Sequence, residues 1–471
     1  MAKTKNLDAN GYRKFGWLDR ISYAAGDFGC NMSFALKGSL TVYWTQFMGI
    51  NQILMAGLLL LVQVWDAIND PLIGSMVDAD RRHYKRNKFL AYINVGAIGL
   101  TVAGALCFLP FPGLPEVAEC IMFVAGYIIW DAFYTVANVP YGSLLSLITD
   151  DPAQRAEISS FRSAGAMVAG ILTGILIPVV IYDANNVLIG QRMFWMALIM
   201  GGIGLLCFQF MIHTTEIRVN TEVKVGEEAP KFNFLVAMKN FFRNRPAVGA
   251  TLSAVAVQFG MYGAQTATTV LFQAYFGNAQ ISGAVGMLSY LGLFLFMPFV
   301  KPLVNKLGKK EGCIIGGIIT CSAYVLMLVL PITPDAKGIG LFVFCQIIAA
   351  IGNGFGTCVG YAMMADAMDY EEWKFGERNE GTTYAMHSFF RKLAQGVGPS
   401  LGIVLATWLG YNATLGPDQP AAVARNMRYL TPTMYLIGGV LSLVSYGLIY
   451  NLDRKTLNTM KGDLEARHAA H

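Results

Sequence analysis

The sequence predicts an all-α polytopic membrane protein of twelve transmembrane helices in two six-helix bundles. Three observations predict it. Of the 471 residues, 55% are hydrophobic and only 14% are Asp, Glu, Lys or Arg, against about 25% charged residues in a soluble domain; mean hydropathy is +0.47. The apolar residues gather in twelve runs, most of them reaching the roughly 20 residues that span a hydrocarbon core. One long polar stretch, His213 to Arg245, divides those runs six and six. A soluble chain of this size would need far more polar surface.

In order, the runs cover 21–48, 53–76, 89–109, 117–148, 159–181, 193–212, 246–276, 281–304, 312–331, 338–368, 382–408 and 429–450. Excess length is read as tilt, or as helix continuing into water. An even number places both termini on one side, and the loops choose it. Lys3, Lys5, Arg13, Lys14 and Arg20 precede the first run, Asp78 to Lys88 is rich in Arg and Lys, and Lys306 to Lys310 is basic. The alternate loops, among them Gly49 to Gln52 and Pro110 to Glu116, are poor in basic residues. Positive-inside asymmetry then predicts cytoplasmic termini in a cell (inner) membrane. The predicted organisation is a bundle over 1–212, a cytoplasmic linker over 213–245, and a bundle with a cytoplasmic tail over 246–471. Within the linker, Phe232 to Phe242 is patterned as a helix lying along the inner membrane face.

The net charge of +5 comes from these short loops and gives no expectation of nucleic-acid binding. The eight cysteines form no C-x-x-C pair, so they read as small membrane-buried residues. The polar, basic start gives no expectation of a cleaved signal peptide. Lipid and one small-molecule substrate are the partners expected, and a monomer is the default for two bundles that enclose their own path. No cofactor is expected beyond a coupling ion.

Polar residues inside apolar runs are costly, and mark function or specific pairing. The second run holds Trp65 to Pro71, with Asp66, Asn69 and Asp70 on one helical face. Two carboxylates there need protons, a cation or a basic partner. Oxygens from carboxylates and an amide suit a monovalent cation, so Asp66 and Asp70 are the ligands expected if that ion is sodium. The first run carries Asp27 and Asn31 on one face, with Lys37 deeper; Lys37 either meets substrate or pairs with a fixed aspartate. In the fourth run, Asp131, Tyr134, Thr135, Asn138 and Tyr141 line a polar, aromatic stripe suited to a sugar ring. Asp131 can equally form an inner salt bridge. Arg162 opens the fifth run. In the seventh, Gln258, Tyr262 and Gln265 share a face. The eleventh carries His387, Arg391 and Lys392, and Lys392 is the candidate to reach Asp66 or Asp70. Asp366 to Lys374, ending the tenth run, is read as a set of gate or loop salt bridges. The glycine-rich Gly352 to Gly356 lies in an apolar run and is read as helix packing rather than a phosphate loop.

These stretches carry a resemblance. Trp65 to Pro71 (WDAINDP), Asn138 to Leu144 (NVPYGSL), and Ala365 to Tyr370 followed by Glu380-Gly381 resemble the glycoside–pentoside–hexuronide:cation symporters of the major facilitator superfamily, over nearly the whole chain. The resemblance implies the major facilitator fold and no enzymatic chemistry. It also implies a sodium or proton site at Asp66 and Asp70, assisted by Asn69 and Thr135, with Lys392 and Arg162 close by. The melibiose-type members have acidic residues where this chain has Asn31 and Asn138, and a sugar-stacking tryptophan where it has Gly142. Two negative charges fewer, with Lys37 added, lead to the expectation of a more positive cavity and an anionic sugar, such as a glucuronide or a sulfonated sugar. The substrate-binding set expected is Asp27, Asn31, Lys37, Asn138, Tyr141, Arg162, Tyr262, Gln265, His387 and Lys392. A neutral pentoside or xyloside is the alternative substrate, and a non-transporting sugar sensor the alternative class.

Overall fold

The structure is a computed structural model that describes residues 12–80, 82, 84, 86–149, 151–219, 234–287, 297–376 and 380–469. Lys3 and Lys5, three members of the first basic loop (Arg81, His83 and Lys85), linker residues 220–233, the middle of the eighth apolar run and His471 lie outside it.

Among the described residues the chain is helical. The principal helices are α1 (Trp17–Phe34), α2 (Gln52–Ala79), α3 (Lys88–Leu106), α4 (Glu116–Ile148), α5 (Pro152–Ile181), α6 (Gly190–Thr214), α7 (Arg245–Gly263), α8 (Val300–Leu307), α9 (Lys309–Val329), α10 (Ala336–Phe375), α11 (Glu380–Trp408) and α12 (Ala421–Val444). Nine stretches of these are long and apolar enough to cross a membrane. Of the other three expected spans, the first and eleventh are helical but more polar, and the eighth is broken by residues 288–296, outside the description. The amphipathic linker segment forms a helix over Phe234–Arg243.

Helix α2 shows how sequence sets orientation. Leu61, Val64, Ile68, Leu72 and Met76 recur at three- and four-residue spacing and are exposed, while Gln63, Asp66 and Asn69 between them are buried. One apolar stripe therefore faces lipid and one polar stripe faces protein. The first span does not run as a single α-helix. After α1 come a 3-10 turn (Ala35–Ser39), one α-helical turn (Leu40–Val42) and a π-helix (Tyr43–Met48), ended by Gly49 at φ 104°. The seventh span repeats the device: α7 stops at Gly263, a helix follows over Gln265–Val270, and a π-helix over Leu271–Tyr275. Non-α turns inside a long helix re-aim side chains and mark hinges.

The chain forms two compact units, Met1–Asn51 with Val64–Glu227, and Gln52–Gln63 with Glu228–His471. The division falls inside the 213–245 stretch. Residues 52–63, which sequence places in the first bundle, cluster with the second unit, where Ser400 Oγ donates to the Ala56 carbonyl (2.8 Å). In the first unit α1 packs on α5 and α6, and α3 on α4 and α6; in the second α7 packs on α11 and α12, and α9 on α10 and α12. The same pattern built twice is a repeat architecture. Glycines permit the closest approaches: a Cβ on Gly165 of α5 would strike the Ala24 carbonyl of α1, and one on Gly402 of α11 the Gly263 carbonyl.

Charged residues near the basic loops are tied down. Asp19, 2% exposed, accepts from Arg13 (2.7 Å) and Arg218 (3.0 Å). Arg86 donates to the Ile212 and Thr215 carbonyls, satisfying the carboxyl end of α6. In the second unit Lys309 bridges Asp366 at 2.5 Å, one of the ion pairs expected at the end of the tenth span.

Candidate cation and substrate site

Helices α2 and α4 are joined through Asn69, which is completely buried. Its amide nitrogen donates to Thr135 Oγ1 (2.8 Å) and approaches the Oδ2 and backbone carbonyl of Asp131 at 3.1 Å each. Thr135 Oγ1 donates onward to Asp70 Oδ1 (3.0 Å). One turn earlier on α2, Asp66 Oδ2 receives Lys37 Nζ at 3.2 Å. Lys37 comes from the 3-10 turn of the first span, and its ammonium also lies 5.4 Å from the centre of the Tyr127 ring and 5.8 Å from that of Phe34.

Asp66, Asp70 and Asp131 gather at this focus with Lys37, and Asp66 and Asp131 are only 6% and 7% exposed. Such a group favours a further positive charge or a proton. The side-chain oxygen of Asn69 is buried without a hydrogen-bond donor, and an orphaned carbonyl oxygen costs free energy that a cation would recover. Among the described residues no group of three His, Cys, Asp or Glu side chains is arranged to hold a metal ion. A cation here would draw on amide and hydroxyl oxygens as well as carboxylates, the ligand chemistry of hard cations.

A second focus lies between α1 and α5. Arg162 Nε donates to Asp27 Oδ1 at 2.8 Å, and Asn31 Nδ2 donates to Asp27 Oδ2 at 3.0 Å. The guanidinium sits 5.0 Å from the Tyr141 ring centre. Tyr141 is fully buried, stacked on Tyr23 at 4.5 Å, and each hydroxyl donates to the other's backbone carbonyl. Tyr141 therefore supports Arg162 from within the packing and does not offer an open face for a sugar to stack on. Asn138 Oδ1 accepts from Cys30 Sγ at 3.8 Å. Gly142 is exposed, and a Cβ there would meet nothing within 4 Å, in keeping with the space expected in place of an indole.

In the second unit His387 is 6% exposed and its Nδ1 lies 2.9 Å from Thr251 Oγ1, so the ring braces α11 against α7. Gln258, with its amide oxygen turned to the guanidinium, accepts from Arg391 Nη2 (2.9 Å) and Nε (3.2 Å) and donates to the Arg391 carbonyl (3.0 Å). Tyr262 stands on α7, Gln265 opens the next helical segment, and Lys392 follows Arg391 on α11.

Two expectations change in detail. Lys37 and Arg162 were expected to make the cavity positive, but each is paired to an aspartate, Lys37 to Asp66 and Arg162 to Asp27. Asp131 stands nearer the centre of the site than its place on a stripe suggested. Its spacing carried the signal, four before Thr135 and one helical turn after Tyr127.

With this geometry in view, comparison with known proteins is decisive for the family. A family model described as MFS/sugar transport protein matches residues 22–454. The chain belongs to that family. Its relatives include an uncharacterized symporter, YjmB, of Bacillus subtilis, 30% identical over 93% of each chain. They also include an isoprimeverose transporter of Lactiplantibacillus pentosus, 29% identical over 96% of this chain and 92% of that one, and a glucuronide carrier protein homolog of Escherichia coli, 25% identical over 85% and 86%. The fold is also that of the solved nucleoside transporter NupG, with TM-score 0.56 at 13% identity over 94% of this chain and 98% of that one. This MFS sugar transporter is thus a multi-pass membrane protein with the major facilitator fold, and not an enzyme.

Proposed function

We propose that this MFS sugar transporter is a cation-coupled symporter that carries an anionic sugar by alternating access. The observation that supports coupling is the α2–α4 focus: Asp66, Asp70 and Asp131 gathered with Lys37 around Asn69, whose buried amide oxygen lacks a donor. A sodium ion or proton is taken up by Asp66 and Asp70, with Asn69 and Thr135 supplying further oxygens. Sugar and cation then raise each other's affinity, as linkage requires. Both termini lie in the cytoplasm, the membrane is the cell inner membrane, and the transporter works as a monomer.

Arg162 is the feature that supports an anionic substrate. Its bond to Asp27 runs through Nε, so the terminal amino groups are not occupied by that carboxylate, and the side chain remains 35% exposed. A guanidinium edge of this kind suits a carboxylate or sulfonate. The relatives' printed substrates include a glucuronide and, in Escherichia coli, a putative sulfoquinovose importer. A second reading, a neutral pentoside, draws on the two ion pairs that already neutralise Lys37 and Arg162, and on the isoprimeverose relative.

Uptake of labelled glucuronide, sulfoquinovose and xyloside into proteoliposomes, each under an imposed sodium or pH gradient, separates these readings. Concentrative uptake of the acidic sugars alone is the expected result. Accumulation of the xyloside alone would replace the anionic reading by the neutral one, and binding without gradient-driven uptake would contradict symport.

A further inference from the structure

Lys37 has a feature that sugar recognition does not need. It stands on a 3-10 turn that interrupts the first span, and that turn delivers its ammonium to Asp66 Oδ2 at 3.2 Å. From that same position the ammonium lies 5.4 and 5.8 Å from the ring centres of Tyr127 and Phe34. Aromatic rings at this range attract an ammonium through their quadrupoles. The ammonium thus meets a carboxylate and an aromatic pair at once, so loss of the carboxylate still leaves it the rings.

We infer that Lys37 is a tethered resident cation of the Asp66 site, displaced from the carboxylate and left to the Tyr127–Phe34 pair when the coupling cation binds, and that it thereby sets the affinity of that site. The inference rests on the symport reading and deepens it. An ammonium and a monovalent metal ion carry the same charge and seek the same carboxylate. A tethered group competes at an effective concentration in the millimolar range or above, so a free cation must outbid a neighbour that never diffuses away. The advantage of such a competitor is that Asp66, 6% exposed, is never left as a bare buried charge when the carrier returns without its ion. The fully buried Asn69, whose side-chain oxygen has no donor, adds a ligand that an incoming cation can use and that Lys37, held at Asp66, does not satisfy. Asp70 and Asp131, linked to Asn69 through Thr135 and directly, place further carboxylate oxygens beside it.

The experiment is a sodium chloride titration of the purified full chain in detergent at constant ionic strength, made up with choline chloride and followed by calorimetry, without sugar. Lys37→Met, which keeps length and removes charge, should bind sodium at least tenfold tighter than the unaltered protein, and Lys37→Arg should not. Sodium binding by Lys37→Met that is equal to or weaker than that of the unaltered protein would overturn the inference, as would tightening in Lys37→Arg to the same degree. Should Lys37→Met fail to fold, Lys37→Gln is held to the same two readings. Because no sugar is present, this result stands apart from the uptake panel: symport can fail there while Lys37 still competes here, and the reverse.

Discussion

At the scale of single residues, partnership decides what each charge contributes. Asp27 accepts from Arg162 and Asn31, and Arg162 rests against Tyr141. Replacing Asp27 by Asn leaves a partly buried guanidinium without its counter-charge. The expected cost is about 2 kcal/mol, the range for losing a charged hydrogen bond at a partly exposed site, measured as the loss of stability in denaturant or the fall in melting temperature. Arg162→Lys should retain most of that stability and lose acidic-sugar uptake, because an ammonium cannot reproduce the planar fork. Outside the membrane, Asp80 accepts from the Tyr84 and Tyr92 hydroxyls and the Arg82 amide, which hold its carboxyl well below the ordinary range, at about 2. A depressed carboxyl stabilises the loop fully above its unfolded value, near 3.9, and that contribution is lost as pH falls from about 4 toward 2. Protection of the Arg82 amide from hydrogen exchange, corrected for intrinsic rate, should therefore be flat from pH 7 to 5 and collapse below 4.

Much of the site was legible at this scale. Asp66, Asn69 and Asp70 share a face because they are three and four residues apart, and Thr135 of α4 bonds to Asn69 and Asp70. What sequence left open was which partner each charge takes. Lys37 and Asp66 are 29 residues apart on different spans, and the lysine's direction depends on a local 3-10 turn that periodicity does not report. Tyr141 read as a sugar platform because an aromatic beside amides looks like one. Its burial against Tyr23 is a packing fact that only the neighbouring helix supplies.

At the scale of elements, the bundles depend on helices whose backbones nearly touch. Gly165 against Ala24 joins α5 to α1, and Gly402 against Gly263 joins α11 to α7. On α3, a Cβ at Gly96 would come within 2.5 Å of the Ala137 amide nitrogen. Backbone cannot give way as a flexible side chain does, so Gly165→Val and Gly402→Val should each cost about 3 kcal/mol or more, at or above the upper end for overpacking. Fluorescence-detected size exclusion after heating should show early aggregation for both, whereas Gly142→Ala, with open space around it, should melt like the unaltered protein. The apolar faces of α2 and its neighbours were readable from period alone, because lipid and protein select opposite stripes. The interruptions of the first and seventh spans were not readable, since an apolar run looks alike whether its turns are α, 3-10 or π.

At the scale of the whole molecule, two units with the same internal packing suit a carrier built from two repeats. The twelve apolar runs of the sequence and its positive-inside loops predict both termini in the cytoplasm; reporter fusions at each end should be active only as cytoplasmic reporters, and an external amino terminus would reverse the expected orientation. Transport by such a carrier requires that cation binding at α2 and sugar binding change one equilibrium. The measurement that bears most directly on this is a comparison of gradient-driven accumulation with sugar exchange at zero gradient, in proteoliposomes holding the unaltered protein or Asp66→Asn or Asp70→Asn. The account predicts that both variants lose concentrative uptake, by at least a hundredfold, while keeping measurable exchange of the same sugar. Accumulation in either variant at the level of the unaltered protein would contradict it.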